Sequence, residues 1–286
     1  MIREIVVLSG KGGTGKTTIS SSFAVLSHPN VVVDADVDAA NLEIVLGMHD
    51  AESFPFSGGE VARIDLDLCT DCGLCLDVCR FDAISSEYVV DQVACEGCGA
   101  CELVCPVNAI SMVPSQSGVY KVGKTEWGWM VTAELYPGGS NNGKLVEKVR
   151  SEGRRLAGDK GLDLIIIDGP PGIGCPVISS VTGTTGVVAV TEPTLSAIHD
   201  LQRLLELTAH FRVKTVVVIN RFDVHPENTR KIEEFLKEQG IPVVGKIPFD
   251  REVYKALADA RPVVMKGGRA SDAIVRTWEA VKAMLF

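Results

Sequence analysis

The sequence predicts an α/β protein with a doubly wound, mainly parallel sheet, interrupted by an inserted segment of α+β character. Three observations support this prediction. Short runs rich in valine and isoleucine alternate with helical patterns along most of the 286 residues. These runs are almost continuously apolar, which is typical of parallel strands covered on both faces. The alternation stops between about residue 54 and residue 114, where eight of the nine cysteines lie.

The alternation gives the order of the main elements. The expected strands are Ile2–Leu8, Val31–Asp34, Leu162–Ile167, Gly186–Val190, Thr215–Ile219 and Pro242–Ile247. The expected helices are Gly15–Leu26, Lys144–Ala157, Ala197–Ala209, Asn228–Gln239 and Ala270–Leu285. Two further short strands are expected between Tyr120 and Tyr136, and a glycine- and asparagine-rich loop is expected over residues 137–143.

Composition excludes several classes of protein. The chain has 28 Lys and Arg against 37 Asp and Glu, a net charge of -9 that disfavours a nucleic-acid-binding surface. The N-terminal residues lead straight into a strand and lack the pattern of an export signal. No apolar run approaches the roughly 18 residues of a membrane-spanning helix. A soluble, cytoplasmic protein with reduced thiols is therefore expected, without membrane or nucleic-acid contact.

A glycine-rich segment, SGKGGTGKTT, connects the first expected strand to the first expected helix. Backbone N–H groups of such a loop, together with the helix N-terminus, form a binding site for phosphate. Lys16 is expected to reach the β and γ phosphates, and the Thr17 hydroxyl is expected to bind Mg²⁺. The predicted nucleotide-binding residues of this loop are Gly10, Lys11, Gly12, Gly13, Thr14, Gly15, Lys16, Thr17 and Thr18.

Carboxylates follow two of the expected strands. Asp34, Asp36 and Asp38 come at the end of the second strand, and Asp168 ends the run LIIID before Gly-Pro-Pro-Gly. Ligands of open α/β sheets bind at these carboxyl ends of the strands. We expect Asp168 to hold Mg²⁺ together with Thr17, and Asp34 to lie near the ion. Asp38 is a weaker candidate, because a solvated loop acid explains it better.

The segment KGGTGKT resembles the deviant Walker A loop of the MinD and ParA superfamily of P-loop ATPases, and the resemblance covers the chain outside the cysteine-rich segment. It implies ATP binding and hydrolysis. In that family the additional lysine, here Lys11, crosses a dimer interface to the partner's nucleotide, which implies an ATP-bound homodimer. Asp36 matches the residue that orients or activates the attacking water. The catalytic residues implied are therefore Lys11, Lys16 and Asp36. Without the family, a local phosphate contact by Lys11 is the alternative.

The sequence leaves two interpretations of the residue that contacts the base. Asn220 ends a strand in the segment VINRFD, and its spacing to Asp223 also fits the guanine-recognition motif of GTPases. The resemblance favours adenine recognition by Asn220, with Pro248 in the following Ile-Pro-Phe-Asp turn packing on the base. We therefore predict ATP, with GTP as the alternative.

The cysteine-rich segment contains an internal near-repeat, CTDCGLCLDVCRFDAIS followed by CEGCGACELVCPVNAIS. Both halves have the C-x2-C-x2-C-x3-C spacing of bacterial two-cluster ferredoxins, in which the fourth cysteine of each run ligates the other 4Fe-4S cluster. The expected ligands are Cys69, Cys72, Cys75 and Cys105 for one cluster and Cys95, Cys98, Cys101 and Cys79 for the other. Zinc bound by C-x2-C pairs is the alternative. Arg80 stands where the second run has Pro106.

These assignments predict an inserted α+β domain of bacterial-ferredoxin type at residues 58–116, between the two parts of a P-loop ATPase domain at 1–57 and 117–286. The function implied is coupling of ATP-driven dimer closure to low-potential electron transfer or metallocofactor maturation, with a redox or metallocofactor protein as partner. An iron-sulfur cluster carrier is one alternative. A redox-sensing positioning ATPase similar to MinD is another.

Two further features have competing interpretations. Cys175 is expected to be a small buried hydrophobic residue, although its offset from Asp168 is similar to that of the bridging-cluster ligand of the nitrogenase iron protein. The last helix has an apolar face formed by Ile274, Trp278, Val281 and Leu285. We expect this face to pack on the domain rather than on a lipid surface.

Overall fold

The computed structural model describes residues 2–138 and 142–286. Of the loop expected over residues 137–143, residues 139–141 lie outside this described part. None of the helices in the described part has the length and apolar character needed to cross a bilayer.

The strands and helices follow the alternation in the sequence. The strands are β1 Arg3–Ser9, β2 Asn30–Asp34, β3 His49–Ile64, β4 Ile110–Thr125, β5 Gly128–Leu135, β6 Leu164–Pro171, β7 Gly186–Thr191, β8 Thr215–Asn220 and β9 Val243–Ile247. The α-helices are α1 Lys16–Leu26, α2 Leu42–Val45, α3 Leu74–Val78, α4 Ala100–Val104, α5 Asn142–Lys160, α6 Cys175–Val181, α7 Leu195–His210, α8 Pro226–Glu238, α9 Arg251–Ala258 and α10 Arg269–Leu285. A 3-10 turn covers Val263–Met265.

The strands form one sheet in the order β3-β4-β5-β2-β6-β1-β7-β8-β9. From β5 to β9 in this order, neighbouring strands are parallel. The predicted mainly parallel α/β sheet is therefore confirmed. The carboxyl ends of β1, β2, β6, β7 and β8 lie at one edge of this parallel part, and the loops that follow them carry most of the predicted nucleotide-binding residues.

The chain divides into two compact units. The first unit contains the chain up to Ser53, Tyr120–Glu134 and Gly143–Phe286, and the second contains Phe54–Val119 together with Leu135–Asn142. Both long strands, β3 and β4, begin in one unit and end in the other, because the unit boundaries fall within them. The strands expected between Tyr120 and Tyr136 are present, but β4 begins well before Tyr120.

The hydrophobic core of the first unit lies between the parallel sheet and the helices α1 and α10. Phe23 of α1 packs against Trp278 of α10, with 4.8 Å between the ring centroids. The whole apolar face of α10, including Ile274, Val281 and Leu285, is buried in this core. The prediction that the last helix packs on the domain is therefore confirmed, and this face is not available to a lipid surface.

The second unit repeats one backbone arrangement. The N–H of Asp65 donates to the carbonyl of Ala109 at 2.8 Å, and the N–H of Asp91 donates to the carbonyl of Ala83 at 2.7 Å. Each cysteine run also forms a five-residue helix, α3 or α4, although the sequence of this segment shows no helical periodicity. A helix of five residues is only slightly longer than one turn, too short to produce a periodic pattern.

Candidate functional site

The glycine-rich loop lies between β1 and α1, at the carboxyl edge of the sheet. Gly13 and Gly15 have φ angles of 79° and 97°, in the left-handed region that glycine adopts without strain. At Gly15 a Cβ atom would also lie 2.4 Å from Nδ2 of Asn220, so a side chain is excluded there. Lys16, the first residue of α1, is 6% exposed. The fold thus builds a concave loop whose N–H groups and buried lysine suit a polyphosphate.

The carboxylate of Asp168 receives two hydroxyl groups from α1. Thr17 Oγ1 donates to Oδ2 at 2.7 Å, and Ser20 Oγ donates to Oδ1 at 2.8 Å. The predicted neighbours Thr17 and Asp168 are therefore brought together by the structure. Ser20 was missed by the sequence reasoning. Its position four residues after Lys16 places it on the same face of the helix, and this was the available signal.

Asp34 and Asp168 are register partners on the adjacent strands β2 and β6, and both are buried. Burial raises the pKa of Asp34 well above its usual range, and the neighbouring carboxylate of Asp168 raises it further. Burial also raises the pKa of Asp168, against the opposing effect of Lys16. A divalent cation offsets this repulsion, and carboxylate and hydroxyl oxygens are the donors that Mg²⁺ prefers. The residues present therefore fit Mg²⁺.

Asp36 lies close to the phosphate loop. Its Oδ2 atom is 3.8 Å from Nζ of Lys16. Burial raises the pKa of Asp36, whereas Lys16 opposes the shift. Asp38, the weaker candidate, is exposed. The geometry thus separates the two acids, because Asp36 adjoins the loop lysine whereas Asp38 faces solvent.

Lys11 contacts its own chain. Its Nζ atom is 2.9 Å from Oε1 of Glu192 and 3.0 Å from the hydroxyl oxygens of Thr194 and Ser196. Sequence reasoning missed these three residues, which follow β7 and begin α7. No sequence motif marks them; only the adjacency of β7 to β1 in the sheet brings them to the loop.

The candidate base-binding loops are tied to each other by hydrogen bonds. Asn220 Nδ2 donates to the carbonyl of Thr14 at 2.8 Å, which joins the end of β8 to the phosphate loop. Oδ1 of Asp223 accepts a hydrogen bond from the N–H of Phe249 at 2.7 Å. Pro248 lies in the same turn, between β9 and α9. The three loops therefore form one hydrogen-bonded edge, in which Asp223 stabilises the turn that contains Pro248.

The sequence model of the CobQ/CobB/MinD/ParA nucleotide binding domain matches residues 5–263. The chain belongs to this family. An uncharacterized protein of Methanocaldococcus jannaschii is 34% identical over 288 residues, covering 100% of this chain and 98% of that protein. The phosphate loop and the carboxylates around it are thus found in a nucleotide-binding domain of the MinD/ParA type.

Solved structures show the same fold. The cell division ATPase MinD of Pyrococcus furiosus has a TM-score of 0.60 at 20% identity, covering 99% of both chains. The septum site-determining protein MinD of Pyrococcus horikoshii, complexed with Mg-ADP, has a TM-score of 0.60 at 20% identity and covers 98% of this chain and 96% of that chain. The likeness extends over nearly the whole length of each MinD structure.

The second unit of this MinD/ParA-family chain contains two cysteine-lined cavities. One is lined by Cys69, Cys72, Cys75 and Cys105. The other is lined by Cys79, Cys95, Cys98 and Cys101. Each cavity therefore receives three cysteines from one run and the fourth cysteine from the other run. These are the two sets that the sequence predicts for cluster ligands.

The two cysteine runs have matching backbone conformations. Gly73 and Gly99, which precede α3 and α4, have φ angles of 79° and 72°. Cys79 has φ -71° and ψ 112°, and Cys105 has φ -73° and ψ 111°. Arg80 therefore leaves the conformation of the preceding cysteine unchanged, although Pro106 occupies the matching position.

Several contacts in the second unit affect the thiols directly. Burial raises the pKa of the Cys75 and Cys101 thiols. The N–H of Ala109 donates to Sγ of Cys105 at 3.2 Å, a type of contact that stabilises a thiolate. Within the described residues, no three His, Cys, Asp or Glu side chains are close enough to surround a single metal ion.

Cys175 is exposed, at the first residue of α6. The expectation that it is a buried hydrophobic residue is wrong. The run Gly172–Gly174 after Asp168 carries the chain to the surface before α6 begins, and α6 buries Val177, Ser180 and Val181 instead of its first residue.

Proposed function

We propose that this chain is an ATPase that binds two 4Fe-4S clusters, and that ATP-driven dimerisation controls low-potential electron transfer or metallocofactor maturation on a partner protein. The observation that carries the proposal is the composition of the two cavities. Eight cysteines divide between them as four and four, with one cysteine exchanged between the runs. Ligand exchange of this kind is typical of two-cluster ferredoxins.

Zinc is the alternative occupant of the cysteine sites. Zinc sites of four cysteines usually draw two C-x2-C pairs from separate knuckles. Here each run supplies four cysteines within eleven consecutive residues, and this happens twice in the chain. Such runs are typical of cubane clusters.

Four thiolates per cavity leave no iron for a substrate, so bound clusters would supply electrons rather than a reaction centre. The residues of the second unit would hold and tune the clusters. Burial of Cys75 and Cys101 keeps water from those thiolates, and the N–H of Ala109 stabilises the negative charge on Cys105. Complete ligation argues against donation of a cluster to another protein, so the carrier alternative is less well supported.

In the nucleotide site, Lys16 would bind the β and γ phosphates, while Thr17 and Asp168 would hold Mg²⁺. Asp36, beside Lys16, would orient the water that attacks the γ phosphate. Asp34 lies beside Asp168 on the adjacent strand, where its charge would stabilise the Mg²⁺ ion. In this reading Lys11, Lys16 and Asp36 act in catalysis.

ATP is favoured over GTP by the role of Asp223. In GTPases an Asp at this spacing recognises guanine with its carboxylate. Here Oδ1 of Asp223 instead accepts a hydrogen bond from the N–H of Phe249, and this bond stabilises the turn that contains Pro248. Asn220 and Pro248 would then contact adenine, with Asn220 fixed against the carbonyl of Thr14.

Lys11 would cross to the nucleotide of a second copy, giving a homodimer in the ATP-bound state. Shifting a closed dimer from 1:99 to 99:1 requires about 5.5 kcal/mol of differential binding. Charge contacts between a lysine and a triphosphate, made on both sides of the dimer, supply energies of this order. Hydrolysis would remove the γ phosphate and release the closed state.

The test is an anaerobic preparation of the full chain. We expect about eight irons per chain, and an ATPase activity and dimer population that change between oxidised and reduced protein. The Asp36→Asn variant should retain iron and nucleotide binding while hydrolysis falls by about a hundredfold. The Asp159→Asn variant makes the same change at an exposed position of α5, so it is the matched control and should hydrolyse normally.

Protein with neither iron nor adenine nucleotide would contradict the whole proposal. Identical turnover and dimerisation in both redox states would contradict the coupling. Loss of visible absorbance together with iron transfer to an apo-acceptor would favour the carrier.

A redox-sensing positioning ATPase is a second candidate, favoured by the MinD-like fold. It predicts ATP-dependent binding to a membrane or polymer. The C-terminal apolar face is buried in this chain, which removes one route to a lipid surface. Co-sedimentation with anionic vesicles in the presence of ATP separates this candidate from a soluble redox partner.

A further inference from the structure

The ammonium group of Lys11 is fully satisfied within its own chain. Lysine has three N–H donors, and Nζ of Lys11 has three oxygen neighbours at hydrogen-bonding distance. One is the carboxylate of Glu192, and the other two are the hydroxyls of Thr194 and Ser196. We call these three acceptors the lysine clamp.

Glu192 is the only charged member of the lysine clamp. Its side chain is 13% exposed, and its second carboxylate oxygen, Oε2, accepts a hydrogen bond from Nη1 of Arg221 at 3.0 Å. Arg221 immediately follows Asn220, and its φ angle is 52°. The carboxylate is therefore held in place by the β8–α8 loop while it binds Lys11.

We propose that Glu192 is a positioning residue, which retains Lys11 in its own chain and makes ATP-dependent dimerisation conditional on a triphosphate. The inference rests on the dimer step of the proposed function. A lysine that reaches a second nucleotide first has to leave the clamp, so both clamps of a symmetric dimer open together.

Glu192 and the nucleotide compete for Lys11, and this competition explains why dimerisation is selective for ATP over ADP. Inside the clamp, Lys11 is paired with one carboxylate charge and two neutral hydroxyls. The γ phosphate adds charge and acceptor oxygens that a diphosphate lacks, so ATP competes with Glu192 better than ADP does. ATP therefore displaces the lysine clamp from Lys11, whereas ADP does not.

The experiment measures the dimer dissociation constant by analytical ultracentrifugation, anaerobically, at saturating ADP or saturating β,γ-imido ATP. Because the nucleotide is saturating, a change in nucleotide affinity does not alter the measured dimer constant. For Glu192→Gln we expect dimers with the analogue to be about tenfold to 25-fold tighter, since each of two partly exposed ion pairs contributes about threefold to fivefold. We also expect detectable dimers with ADP. Ser196→Ala should act in the same direction with a smaller effect.

The matched control is Glu206→Gln, which makes the same charge change at an exposed position of α7, where Glu206 bonds only to Gln202 among the described contacts. Its dimer constant should equal that of the wild type. The melting temperature of each monomer is measured in parallel, because a merely structural Glu192 would lower it and weaken the dimer.

Unchanged or weaker dimers of Glu192→Gln, beside a wild type that dimerises with the analogue, would overturn the inference and leave the proposed function standing. A wild type that stays monomeric would instead overturn the dimer step, and the inference with it. Neither result bears on the iron content, which tests the clusters separately.

Discussion

The two units of this protein have hydrophobic cores of different size. The first unit has a continuous core formed by strands and helices, in which residues such as Phe23, Ile166 and Trp278 are buried. In the second unit the buried cluster is small: Ala62, Cys75, Cys101 and Ile110, with partly buried apolar side chains such as Leu76, Ile84 and Val90 packed against it. Two of the four buried residues are predicted metal ligands, so cysteines form part of this small core.

The proposed clusters would compensate for the small core of the second unit. Below about 70–80 residues a hydrophobic core seldom stabilises a unit unaided, and metal sites often make up the deficit. The second unit is of this size, whereas the first is large enough to bury a complete core. We therefore expect the first unit to fold without its ligand and the second unit to depend on its clusters.

The largest expected effect is that of removing iron. Chelation should make the second unit sensitive to protease between residues 54 and 119, while the first unit still binds nucleotide. Limited proteolysis with mass spectrometry locates the cuts. Cys105→Ser should produce much of this effect, because it removes one ligand of the first cavity. Cys175→Ser is the control and should retain all its iron. A second unit that resists protease without iron would remove the contrast between the units.

The next effect concerns a buried ion pair of the first unit. The guanidinium of Arg150 donates to the Glu4 carboxylate at 2.7 Å and to the carbonyls of Ser179 and Thr182. Arg150→Met should lower the free energy of unfolding of the first unit by about 1.5–3 kcal/mol, because Glu4 and the two carbonyls lose a buried donor while Glu4 keeps its pair with the partly exposed Arg154. Denaturant unfolding followed by circular dichroism measures the change.

Arg155→Met is the control for this prediction. Arg155 lies on the same helix but is exposed, and its pairs with Glu152 and Asp159 are solvent-screened. Its effect should be much smaller. Equal effects of the two variants would show that burial does not govern the stability of this unit.

A smaller effect follows from the raised pKa of Asp168. A carboxyl group whose pKa is raised by folding binds its proton more tightly in the folded state, so its contribution to stability is present at low pH and is lost as the pH rises above 3.8 and through the raised pKa. The melting temperature of metal-free protein should therefore contain a contribution that falls as the pH rises above 3.8, and Mg²⁺ should restore more stability at high pH than at low pH.

Asp168→Asn should reduce this pH dependence and abolish the response to Mg²⁺, since the hydroxyls of Thr17 and Ser20 can reorient towards an amide. Asp159→Asn, at an exposed position of α5, should behave as the wild type. A stabilisation by Mg²⁺ that survives in Asp168→Asn would place the ion elsewhere.

The smallest effect compares the two cysteine runs. Cys79 already has a conformation that is allowed before proline, so Arg80→Pro should stabilise the second unit by about 0.4–1 kcal/mol. Asp82→Pro should instead destabilise it strongly, because the φ of 50° at Asp82 is incompatible with proline. The rate at which each variant loses its clusters under air measures the effect of both substitutions. Faster loss in Arg80→Pro would mean that the two runs are less alike than their backbones indicate.

Most of the parallel sheet was predictable because its strands are short apolar runs. The loops after them contain residue types, such as glycines and acids, whose roles are recognisable. Strand β1 and the glycine-rich loop after it are examples. The long strands β3 and β4 were not predictable, since β3 has exposed residues over its first half and contains Pro55. Helix α9 was also missed, because its short amphipathic pattern follows closely after β9.

For the candidate sites, the residue types and their spacing predicted the cysteine sets, Lys16, Thr17 and Asp168. Ser20, Glu192 and Asp223 acquired their roles from contacts that span the sheet edge. The burial of Cys175 was predicted wrongly, because a single cysteine carries no periodic pattern from which its exposure can be read.

The sequence by itself determined the parallel α/β class and the residue types available for binding phosphate, Mg²⁺ and iron, because these depend on local patterns of apolar residues, glycines, acids and cysteines. Only the tertiary structure decided that Lys11 rests on Glu192 and that Asp34 faces Asp168. It also decided that Ser20 donates to Asp168 and that Asp223 stabilises the turn that contains Pro248. Such pairings join residues far apart in the chain, and their energies depend on distance and burial, which exist only after the strands have paired.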